Sequence, residues 1–165
     1  MFIGDEARAA VSAAAATARL ASLAAGGSLI WASHAAWAEG TAGIATAACP
    51  PRLVAVRSHG PARRGAVSRL ILRWEAAAAG GQLFPVLDAD ITVVPDGEQA
   101  TLIGLDGVYR TPPGAGLDPV LARQAAAATI GSFLGHIAGA ITDPACGGDT
   151  GRAAVRPGTS AVSSP

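Results

Sequence analysis

The stretch QLFPVLDADITVVP, residues 82 to 95, sets Asp88 and Asp90 inside an otherwise apolar run, and a third carboxylate, Asp106, follows in the next one. Converging oxygen ligands could hold a hard divalent cation, and paired carboxylates could divide acid and base work. Their positions decide against both. Leu83, Pro85, Leu87, Ala89, Ile91 and Val93 hold the odd positions, whereas Asp88, Asp90 and Thr92 hold the even ones. That is the alternation of a strand dry on one side and wet on the other. The aspartates therefore belong to a solvated sheet face, with Arg69, Arg73 and Arg110 as ion-pair partners, and no metal site is expected.

Other reactive residue types lack the company that chemistry needs. His34, His59 and His136 have no carboxylate at a spacing that would orient an imidazole as a base. No G-x-S-x-G, phosphate loop or H-E-x-x-H occurs. Cys49 and Cys146 lie far apart with no histidine at ligand spacing, so they read as free thiols rather than a zinc site or a disulfide. Arg63-Arg64 is too short for a lipid headgroup patch. Twelve basic residues balance twelve acidic ones, so the broad positive field that nucleic acid attracts is missing. No cofactor is called for.

The elements that would position a site follow from local pattern. Asp5 to Ala25 is alanine-rich, opens with acids and stops before Gly26-Gly27, which predicts a helix. Residues 26 to 51 have no clear period and are expected to hold a short helix and one strand. RLVAVRSHG and AVSRLILRWEA read as strands separated by a loop from His59 to Gly65, with Leu70, Leu72 and Trp74 on one face. Pro85 suggests a bulge or an edge. A hairpin centred near Gly97 would set Ile91 against Ile103, Ala89 against Leu105, Leu87 against Gly107, and Asp88 against Asp106 outside. Asp118-Pro119 starts a last helix ending near Ile141, whose stripe of Val120, Ala127, Ile130, Leu134, Ile137 and Ile141 would face the sheet. Leu20 to Ala38 is uncharged, but its few large apolar residues and missing basic flank argue against an integral membrane span, and Asp5 and Glu6 argue against a signal peptide. A cytoplasmic location is expected.

RWEA, LFPVLDAD and GVYR in this order, followed by LDPVLARQAAAATIGSFLGHIAGAI, resemble an actinobacterial branch of the START-like (SRPBCC) superfamily of polyketide cyclases, dehydratases and lipid-transfer proteins. The resemblance runs from Leu53 to Ile141. It implies an α+β helix-grip fold, a curved antiparallel sheet around a long C-terminal helix, enclosing an apolar cavity. Residues 1-50 align poorly, which leaves the family's first strand and two short helices unplaced. The expected organisation is one domain over residues 1-141 and a disordered, Gly, Pro and Ser rich tail over 142-165.

Within that fold Trp74, Leu87, Leu105 and Tyr109 would line the interior from the sheet, and Ile130, Phe133 and Ile137 from the helix. Trp74 and Tyr109 carry polar tips that could orient a ligand, and Gly104 and Gly107 would leave room for a bulge or for something bound. Three readings follow: a binder of a small hydrophobic ligand or lipid, a polyketide cyclase/dehydratase-type enzyme, and an interaction module with a filled core. The inner face offers one phenol and no carboxylate or histidine, which favours binding over catalysis.

Overall fold

A computed structural model of the chain describes residues 1–42, 52–77, 83–111 and 118–143. The elements are β1 (Phe2–Ala9), α1 (Ala13–Ala25), α2 (Ser28–Thr41), β2 (Leu53–Arg64), β3 (Val67–Ala77), β4 (Leu83–Pro95), β5 (Thr101–Tyr109) and α3 (Pro119–Thr142). The strands form one five-stranded antiparallel sheet in the order β1-β5-β4-β3-β2. With the long C-terminal helix on its inner face, this is the α+β helix-grip arrangement. Cys49, Cys146 and the tail beyond Asp143 lie outside the described residues.

The first expected helix begins as a strand, over residues 5–9 of the Asp5 to Ala25 span. Residues 2 to 9 pair with β5 from Phe2↔Val108 to Ala9↔Thr101, and helix begins only at Ala13, where the Ser12 hydroxyl accepts from the Ala15 N–H at 3.4 Å. Alanine's helix propensity is a weak preference, and pairing along a whole strand outweighs it. Gly27, at φ 80°, then turns the chain into α2 at 83° to α1, so the uncharged run from Leu20 to Ala38 is broken at its middle. Among the described residues α3 alone has the length and apolarity to cross a membrane as a single helix.

Three further expectations change in detail. β2 continues through the expected loop to Arg64, with a register shift between His59 and Ala62 at Gly60, whose φ of 107° suits glycine. The extra residue in β4 is Val86, beside Pro85: Trp74 pairs with Leu87 but Glu75 with Pro85, so Val86 turns inward and is fully buried. The β4–β5 hairpin is closed by Asp96 N–H to Ala100 C=O at 2.9 Å and centres one residue later than Gly97. Every pair therefore slips by two: Ile91 faces Leu105, Ala89 faces Gly107, Leu87 faces Tyr109, and Asp90, not Asp88, faces Asp106. An even slip leaves every side chain beyond the Val86 bulge on its expected face, whereas before it the bulge reverses the alternation, so that Phe84 turns to the core and Leu83 and Pro85, expected on the dry face, turn outward.

The C-terminal helix starts as its sequence dictates, with an Asp118 carboxylate oxygen accepting from Val120 N–H at 2.7 Å ahead of Pro119. Its buried side carries Ile130, Phe133, Leu134, Ile137 and Ile141, but Val120 and Ala127 are exposed and do not belong to the stripe. The guanidinium of Arg19 on α1 donates to the carbonyls of Ile141 and Thr142, covering orphan acceptors at the helix end. Thr17 on α1 donates to Ser68 on β3 at 2.9 Å.

Candidate functional site

The seven residues expected to line the interior are all buried: Trp74, Leu87, Leu105 and Phe133 are 0 % exposed, Ile130 and Ile137 1 %, and Tyr109 4 %. The sheet contributes them by parity, since Trp74, Leu87 and Tyr109 share one cross-strand row and Leu70, Ile91 and Leu105 another, with Leu72, Ala89 and Gly107 between them. The helix contributes them through positions spaced three and four apart. Trp74 and Phe133 meet edge to face, with ring centroids 5.1 Å apart and planes at 90°, a favoured geometry for aromatic pairs.

Tyr109 has a partner that the sequence did not reveal. Trp37 of α2, 5 % exposed, stacks on its ring at 6.4 Å. Burial pushes the Tyr109 phenol up to about 12, because a phenolate there would lose its hydration. At neutral pH it is therefore a neutral hydroxyl, able to donate or accept a hydrogen bond but a poor general base.

The glycines beside Tyr109 serve other ends than expected. A Cβ on Gly107 would collide with the backbone and side chain of Ala89, so this glycine lets β4 and β5 approach, with no bulge between them. Gly104 pairs with Thr92 and Glu6 on the opposite, outer face. There, with Gly4, Val94, Leu102 and Asp106, it lines an open trough of about 500 Å³.

Trp74 Nε1 and Thr129 Oγ1 are, among the described residues, the buried side-chain polar atoms without a hydrogen-bond partner. Thr129 packs against Gly40 where α3 crosses α2. Trp74 lies between the sheet and α3, and its indole N–H is a donor only.

The aspartates mark the outside, as their alternation requires. Arg69 grips Asp90 with two hydrogen bonds of 2.7 and 2.5 Å, Arg110 reaches Asp88 at 2.5 Å, and Arg73 lies between Asp88 at 3.7 Å and Glu75 at 3.1 Å. Such exposed pairs contribute little, and Asp106 is itself exposed on this face, so Asp88→Asn and Asp106→Asn should each change stability by well under ~1 kcal/mol in urea unfolding. Neither change should alter calcium or magnesium titrations; an affinity lost in either variant would restore a metal reading.

A further cluster joins residues 97 apart in sequence: His136 Nε2 lies 3.2 Å from Glu39 Oε1, the hydroxyl of Ser132 donates to the other Glu39 oxygen, and Trp31 packs its ring against the imidazole at 5.4 Å. The Ser132 hydroxyl and, after it, the imidazole hold the Glu39 carboxyl below its usual range. Ser132 bonds the carboxylate and not the histidine, and a carboxyl held below its usual range is too weak a base to activate the hydroxyl as a nucleophile. The cluster fastens α2 to α3 at the surface.

No family model and no curated protein matches this sequence. Solved structures do resemble the fold. A protein of Thermus thermophilus is 16% identical with a TM-score of 0.40, over 86% of this chain and 97% of that one. The Zhui aromatase/cyclase of Streptomyces sp. R1128 is 13% identical with a TM-score of 0.39, over 86% and 93%. A START superfamily protein of Mycobacterium smegmatis is 14% identical with a TM-score of 0.36, over 85% and 96%. At such identities the likeness concerns the fold and not the activity.

Proposed function

We propose that this chain binds a small apolar molecule between its sheet and α3, with Trp74, Leu87, Leu105, Tyr109, Ile130, Phe133 and Ile137 around it. The observation that carries the reading is the partnerless Trp74 N–H, 0 % exposed among these apolar side chains. A buried donor without an acceptor costs ~1 to 3 kcal/mol, and a bound molecule that supplies the acceptor removes that cost. Tyr109 and Trp37 close the same interior with a phenol and an indole, groups that combine apolar area with a polar tip. Catalysis of the cyclase or dehydratase kind has less support, because it needs a second ionisable group beside Tyr109, and none is buried on this face among the described residues.

Native mass spectrometry of freshly purified protein tests the proposal by looking for a retained hydrophobic molecule, followed by tryptophan fluorescence during titration with polycyclic and fatty-acyl probes. Binding by none of them would sink it. Tyr109→Phe should weaken an oriented polar probe by ~1 to 2 kcal/mol while the fold persists. The same variant should gain resistance to alkali. The folded state favours the protonated phenol, so this contribution to stability is complete below the ordinary tyrosine range of about 10 and is lost as pH rises through about 12.

A further inference from the structure

The charges around this interior point to a ligand class, an inference that rests on the binding proposal above. Among the described residues, Glu75 and Tyr109 are the buried groups that titrate. Glu75 faces outward, where Arg57 at 3.5 Å and Arg73 at 3.1 Å neutralise it, and Tyr109 holds its proton well above neutral pH. Asp5 takes an inward position on the edge strand β1, with a carboxylate oxygen 3.5 Å from where a Cβ on Gly131 of α3 would stand, and it remains exposed to solvent. The inner surfaces of β3, β4, β5 and α3 thus bury no formal charge. A carboxylate carried inside would lose its water without gaining a counter-ion, which is among the costliest burials a protein can make. The polar atom that waits there is a donor, and it can be satisfied only by an acceptor.

We infer that the ligand is an uncharged apolar molecule bearing an acceptor oxygen, a ketone, quinone, ester or ether, that receives the Trp74 N–H, and that free fatty acids are excluded. Trp74 is then the residue that sets specificity. It selects by the cost of leaving its own N–H unpaired as much as by the bond it makes.

Three probes of nearly one shape separate the possibilities: 2-acetylnaphthalene offers a neutral acceptor, 2-isopropenylnaphthalene replaces that oxygen by CH₂, and 2-naphthoate carries a charge at neutral pH. Calorimetric titration of the full chain at pH 7 should give the ketone about tenfold tighter than the alkene, the worth of one hydrogen bond in a buried site, and about a hundredfold tighter than the carboxylate. In Trp74→Phe the ketone should fall to the level of the alkene, a ratio that survives a uniform loss of affinity. Should that variant not fold by circular dichroism, the wild-type ratios alone decide. Equal binding of ketone and alkene, or binding of naphthoate as tight as the ketone, would overturn the inference and leave the binding proposal standing. Binding of none of the three would overturn both.

Discussion

Truncating Phe133 to alanine should destabilise the fold by ~3 to 5 kcal/mol in urea unfolding with an unchanged denaturant slope, the usual cost of removing a buried ring from close packing. Phe133 is 0 % exposed and set edge-on against Trp74, so its loss removes both the area it buries and the contact that fixes the indole. The size of the loss also reports on the interior. A smaller loss would mean that the ring already stands beside empty space, since the side that faces a void has no contacts to give up. Phe133→Trp is the complementary change. An enlarged ring at this position should cost ~1 to 3 kcal/mol and occlude the space beside Trp74, abolishing probe binding in a protein that remains folded. A full penalty for Phe133→Ala together with no binding by the wild type would instead describe a filled core, and the chain would then be an interaction module.

Why Phe133 and its neighbours were legible in the sequence, when much of their setting was not, follows from what each kind of pattern encodes. Alternation along a strand fixes which face a side chain takes, and it survives an even error in register. Leu87, Leu105 and Tyr109 therefore keep the inner face, although a hairpin centred on Gly97 gives Leu87 and Leu105 partners two residues away from the true ones. An odd error would have turned them all outward. The helix cap was equally local, since an aspartate before a proline satisfies its own first turn wherever the helix later packs.

What escaped depended on residues distant in sequence. β1 is a strand because β5, about a hundred positions later, supplies its hydrogen bonds; its inward positions hold Ile3, Asp5, Ala7 and Ala9, too small and too mixed to announce themselves. Trp37 and Glu39 sit on a helix with no apolar period, so neither the stack on Tyr109 nor the bond to His136 had a local trace. The indole of Trp74 could be assigned to the interior, but the absence of an acceptor for it is a property of every element around it.

The spacing of α2 and α3 ties these missed residues to the site, and Gly40 tests it. Gly40 is buried where the helices cross, and a Cβ built there would fall on the Cα, Cβ and Oγ1 of Thr129. Gly40→Ala should therefore cost up to ~3 kcal/mol, the upper end for overpacking, because its obstacle includes backbone that no rotamer change can remove. Alanine's better helix propensity returns at most ~1 kcal/mol of this. The expected pattern in a double-mutant cycle follows from the same contacts. Thr129→Ala, which removes the nearest obstacle but keeps the Cα and Cβ, should rescue Gly40→Ala only in part, and Thr129→Gly should rescue it further. Thr129→Val alone should be neutral or stabilising by about 1 kcal/mol, because it replaces a partnerless buried hydroxyl with a methyl of similar shape. The two helices carry Trp37 and Phe133, so forcing them apart should also loosen the stack on Tyr109 and the edge contact on Trp74. Gly40→Ala should then weaken binding of the acetylnaphthalene probe although it touches no lining residue. A Gly40→Ala variant as stable as the wild type would show that the helices separate freely and that their spacing does not set the interior.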